Sequence, residues 1–151
     1  PGALEDRYSS DGVFLYDRLN KSDMEMLELA IRCHNMYRIP QGLNRREQAF
    51  CNVLRDADKV DIFKVNIDTP LEEIYNTTTE ELMKSDITDE VLEAFDEEHC
   101  ILKAIRRTPA DTVIGHVSLA YELVYDESVR ITVEQGYLER WRWSERRWIL
   151  M

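Results

Sequence analysis

The stretch Leu54-Arg55-Asp56-Ala57-Asp58-Lys59-Val60-Asp61-Ile62 lies inside a helix that opens further upstream. Asn44, followed three residues later by Glu47, forms a capping box, and apolar residues recur at helical spacing at least to Phe63. On such a helix Phe50, Leu54, Ala57, Asp58 and Asp61 share one face, while Asp56 points well away from Asp58. With that face turned inward, Asp58 is a carboxylate among apolar side chains, and an unpaired buried charge loses its hydration. Asp58 then needs a metal, a cation or several donors; a Lys or Arg from a neighbouring helix would serve as well as a metal. Asp56 and Lys59 are expected to be exposed charges on the polar face.

Upstream, Ser22 and Glu25 read as a second capping box, opening a helix through Met36 that Pro40 and Gly42 stop. Leu27, Ala30, Ile31 and His34 fall on one stripe of it. His34 poses the same question as Asp58. On an apolar face a lone histidine serves either as a satisfied core residue or as a ligand. A neutral imidazole and a carboxylate suit a first-row divalent metal, but two ligands do not make a site.

Helix signals continue downstream. Thr69-Pro70 starts a short helix with proline at its first position. Thr88, with Asp89 and Glu90 in the first turn, starts another. Thr108-Pro109 starts a longer one whose inner face is Val113, Val117, Ala120 and Val124. A last helix begins near Ser128, with Gly136 interrupting before Tyr137-Leu138, and Asn76-Thr77-Thr78-Thr79 reads as a polar loop. No alternating strand pattern with a hairpin turn occurs. With five Gly and four Pro in 151 residues, the expectation is an all-α fold of about six helices in a single domain over 1–151.

Composition narrows the function classes. Three separated cysteines (Cys33, Cys51, Cys100) form no CxxC pair, which argues against a zinc ribbon or disulfide scaffold and for a reducing, cytoplasmic setting. No run approaches the roughly 18 apolar residues of a membrane span, so no membrane partner is expected. The opening Pro-Gly-Ala carries neither a Met nor a signal-peptide pattern, as expected of an internal stretch. Net charge is −11, and between Asn66 and Glu98 stand twelve acids and one lysine. Such a block repels phosphate backbones and disfavours nucleic-acid binding; its plainer reading is a solvated helical face. The tail Trp141-Arg142-Trp143…Arg146-Arg147-Trp148 could stack on bases, or dock its indoles on the body of the domain.

Two segments together carry a resemblance. Ala30-Ile31-Arg32-Cys33-His34-Asn35 through Ile39-Pro40, followed by the Leu54–Ile62 run, resembles the HD superfamily of metal-dependent phosphohydrolases, most clearly over residues 8–66. That family's signature is a histidine, a His-Asp doublet and a distant aspartate, together holding one or two divalent metals. By the resemblance, Asp58 matches the distant aspartate, and His34 an additional histidine that some members use near a second metal. The first histidine and the doublet lie upstream of the stretch matching Tyr8, so this chain would be the C-terminal part of such a domain. Tyr8 itself stands where many members carry a further histidine, which weighs against a two-metal site.

The resemblance implies hydrolysis of a phosphomonoester, phosphodiester or nucleotide in a bacterial-type protein. A manganese, iron, magnesium or nickel ion would lower the pKa of a bound water and neutralise phosphoryl oxygens. Asp58 and His34 would be its ligands here, Asn35 and Lys59 would reach a phosphorylated small molecule or nucleotide, and this chain alone would hold no metal tightly. His99 and His116 match no ligand; His99 is expected at the surface and His116 in the core. The competing expectation is a non-catalytic helical module that binds a nucleotide or a partner protein. Exposed apolar faces around Phe50 and Leu54 would open a groove there or drive association of copies.

Overall fold

The computed structural model describes residues 19–137, and every regular element among them is helical. Seven α-helices follow in order: α1 (Lys21–Cys33), α2 (Arg45–Asp68), α3 (Leu71–Tyr75), α4 (Thr79–Met83), α5 (Asp89–Asp96), α6 (Pro109–Val117) and α7 (Asp126–Glu134). Two 3-10 turns, Lys103–Ile105 and Ser118–Glu122, precede and follow α6.

Local chemistry sets most of the starts. Asn44 accepts from the backbone N–H of Arg46 and Glu47 while Glu47 reaches back, completing the box expected for α2. Thr108 does the same with Asp111 at α6, where Pro109 occupies the first turn. At α1 the cap is Asn20, accepting from Asp23, rather than Ser22. The segment read as a polar loop holds a box of its own, Thr78 with Glu81, and it starts α4. Asn76, in the left-handed region at φ 49°, ends α3 just before it.

α2 is the spine. Its 24 residues span about 36 Å, long enough to serve two separate apolar clusters. Near its start, Cys51 packs with Ala30 and Cys33 of α1, joined by Leu29, Ile39, Leu43 and Leu54. Farther along, Phe63 packs with Leu82 and Val113, and Ile67, Leu71, Val117, Leu123 and Tyr137 close around them.

The inward faces of α1 and α2 differ from the expected ones. On α1 the buried side chains are Met26, Ala30 and Cys33, and Ile31 is 51% exposed. On α2 the buried arc is Cys51, Arg55, Asp56, Lys59, Phe63 and Asn66. Phe50 is 42% exposed, and Ala57 and Asp61 are also at the surface. The helical period is the expected one, and the phase is rotated. Arg55 and Asp56 occupy the inner arc because distant segments supply their partners, which no pattern within the helix reveals. Lys59 lies beside them, bonded among the described residues only to Arg55 O of its own helix.

α6 is also shorter than its apolar stripe suggested. It ends at Val117, and the chain tightens into the 3-10 turn, where Ser118 Oγ donates to Gly115 O at 2.9 Å and accepts from Ile101 N at 3.0 Å. Val113 and Ala120 keep their inward positions, but Val124 is 54% exposed. Gly115 lets the Arg106 guanidinium lie flat on the helix; a Cβ there would come within 2.2 Å of Arg106 Nε.

Candidate functional site

The acidic-basic run of α2 holds Arg55 and Asp56, which bind other segments, and Asp58 and Asp61, which have no partner among the described residues. Arg55, 7% exposed, donates through Nη1 to the carbonyls of Cys33 (3.2 Å), His34 (3.3 Å) and Met36. Its Nη2 pairs with Glu122 at 3.0 Å. A guanidinium thus satisfies the open carbonyls at the end of α1, where the helix dipole favours a cation, and ties that end to the 3-10 turn after α6. Asp56, 2% exposed, accepts from Val124 N (3.1 and 3.0 Å) and Tyr125 N (3.0 Å). It anchors the entry to α7, and its burial corrects the exposed position expected for it.

Lys59 is likewise buried rather than exposed, at 4%. Its only hydrogen bond among the described residues is to Arg55 O at 3.4 Å. Burial pushes its pKa down, the neighbouring Arg55 adds to that, and Glu122 and Asp56 partly oppose it.

Asp58 is half-buried and makes no hydrogen bond or ion pair among the described residues. The donors or basic partner expected for it are absent there, and the reason is physical. Half-burial leaves water at the carboxylate, so the full desolvation cost never arises. His34, also half-buried, is the residue after α1, and its Nδ1 donates to Ile31 O at 2.7 Å. In the neutral ring that leaves the lone pair on Nε2, the orientation in which histidines ligate metals. The Arg55 guanidinium fastens the His34 carbonyl to α2 one turn before Asp58. Asn35 is exposed. Among the described residues no three His, Cys, Asp or Glu side chains gather as a metal would require.

Polar groups elsewhere serve the fold. Asp111, fully buried, accepts from the backbone N–H of Thr88 (2.8 Å), Arg107 (2.8 Å) and Thr108 (3.1 Å). Burial raises its pKa, and those three N–H groups together outweigh that, leaving it below the ordinary carboxylate range. His116 is half-buried, as its core position implied. Its Nδ1 lies 3.1 Å from the Tyr75 hydroxyl, which itself donates to Asn66. Burial, with Arg106 and Lys103 nearby, pushes His116 down to about 4. His99 is partly exposed and pairs with Glu97 at 3.0 Å.

Two open depressions lie among the described residues. A cleft of about 900 Å³ lies between the starts of α5 and α6, and Asp111 behind it is already saturated. A groove of about 520 Å³ runs between α2 and α7, floored by Val53, Ala57, Val60, Tyr125 and Ile131. No helix among the described residues is long and apolar enough to cross a membrane. No protein-family model, curated protein or solved structure matches this chain.

Proposed function

We propose that this chain is the C-terminal part of an HD-like metal-dependent phosphohydrolase, to which it contributes Asp58 as a metal ligand and His34 beside the metal. The observation that carries this reading is the contrast within one run. Arg55, Asp56 and Lys59 are all buried, and the first two are bound to other segments. Asp58 is half-buried and without a partner among the described residues, and Asp61, the other unpartnered carboxylate of the run, is exposed. The free Nε2 of His34, at the end of the helix packed on α2, supports the same assignment. A divalent ion there would activate a water against a phosphate ester of a small molecule or nucleotide. Two ligands leave most of an ion's hydration in place, so this chain by itself binds manganese or iron weakly and does not hydrolyse phosphate esters.

Calorimetric titration of manganese into the chain, with a phosphatase assay on it and on a longer chain encoded with the residues preceding Pro1, tests this. The expected result is weak binding and no turnover here, and activity in the longer chain that Asp58→Asn abolishes. Tight binding by the short chain would overturn the ligand count. An inactive longer chain would favour the second reading, a non-catalytic helical module for a nucleotide or partner protein. The lack of any three-ligand cluster among the described residues supports that alternative.

A further inference from the structure

The three cysteines are spread over the sequence with no short-spaced pair, yet the fold brings two of them together. Cys33 ends α1, and Cys51 lies in the second turn of α2, eighteen positions away. Both are buried, at 2% and 0% exposed, in one cluster with Ala30, and the two thiols hydrogen-bond each other. Cys100 is not a member of that cluster, and its thiol turns to the carbonyl of Ile101.

The pair is held from both sides. Arg55, one turn after Cys51 on the same helix, donates to the carbonyl of Cys33 at 3.2 Å, so the backbone of one cysteine is tied to the helix of the other. Leu29, Ile39, Leu43 and Leu54 pack around them. Close packing of this kind leaves the side chains little room to turn apart. A single buried thiol serves as a small apolar side chain. Two thiols in contact add a two-electron chemistry that neither has alone.

We propose that Cys33 and Cys51 form a dithiol modification site, which a peroxide converts to an intramolecular disulfide stapling the end of α1 to α2. One sulfur attacks a peroxide oxygen: the O–O bond breaks, a sulfenic acid forms, and the other oxygen leaves as water with the thiol proton. The second sulfur attacks the sulfenic sulfur: the S–S bond forms, the S–O bond breaks, and a second water leaves with the second thiol proton. Two electrons pass from the thiols to the peroxide. Because the partner thiol is already in contact, condensation outruns further oxidation to sulfinic acid. Burial, with Cys33 beside it, holds the Cys51 pKa up, so the reduced pair rests as neutral thiols. The cross-link closes the α1–α2 connection that carries His34.

The test uses the whole chain. The folded protein is exposed to hydrogen peroxide, quenched with catalase, unfolded in iodoacetamide and digested with trypsin without reductant. Cleavage at Arg38, Arg45 and Arg46 separates the two cysteines. A Cys33–Cys51 disulfide then appears as two joined peptides that dithiothreitol parts, with Cys100 alkylated. The oxidised monomer should melt roughly 10 °C above the reduced one, and Cys33→Ala should show neither the joined peptides nor the shift. Cross-links to Cys100, disulfide-joined dimers, or sulfinic acid at Cys33 or Cys51 would each overturn the proposal. So would joined peptides that form only in urea, or a disulfide that lowers the melting midpoint, which would mean that the folded pair is not set for a bond. The peptide map is read on the unaltered chain, so it decides the matter even if Cys33→Ala misfolds.

Discussion

Asp56 and Asp58 are two residues apart on one helix, and they should respond oppositely to removal. Asp56→Ala takes away a carboxylate that is 2% exposed and that receives the N–H groups of Val124 and Tyr125. A hydrogen bond to a charged acceptor contributes about 1.5–3 kcal/mol, and orphaned buried donors lose the hydration they would have had unfolded. Two such donors at the entry to α7 make the expected loss about 3–4 kcal/mol. Asp58→Ala removes a half-buried group with no partner among the described residues, so its cost should stay within about 0.5 kcal/mol. Urea unfolding followed by circular dichroism separates the two. With a slope of about 2 kcal/mol/M, Asp56→Ala moves the midpoint down by roughly 1.5–2 M, and Asp58→Ala leaves it nearly unchanged. Equal losses from the two variants would refute the division of roles, because Asp58 would then be a structural residue and no longer a free ligand.

Two further outcomes follow from the buried titratable groups. Lys59→Met should raise stability by about 1–2 kcal/mol at neutral pH, because it removes a buried ammonium whose one hydrogen bond is 3.4 Å long. The folded state lowers the Lys59 pKa, so the unfolded chain binds the extra proton and the native chain gains stability as pH rises toward the ordinary lysine value. Urea midpoints of the two chains should therefore converge in alkaline buffer, and a constant gap would contradict the desolvation argument. His116, pushed down to about 4, is also under-protonated in the fold, so its contribution is present above the ordinary histidine value and lost as pH falls from about 6.5 to about 4. Partial exposure reduces that contribution to about 2 kcal/mol, measurable as an acid-side drop in thermal midpoint that His116→Gln lacks.

Local chemistry alone was enough for the fold class and most helix starts. A capping box needs only residues three apart, so Asn44–Glu47, Thr108-Pro109 and equally Thr78–Glu81 are legible from the chain. The period of α2 and the burial of Ala30 and Val113 were legible for the same reason. The phase of α2 was decided elsewhere. Asp56 is buried because two N–H groups nearly seventy residues away meet it, and Arg55 because the end of α1 and Glu122 do. Hydrophobic pattern assigns charges to the outside, and only the packed chain can reverse that by bringing a partner to each. The candidate ligands show the same limit: sequence proposed Asp58 and His34, but that Asp56 is bound while Asp58 and Asp61 have no partner among the described residues depended on tertiary contacts.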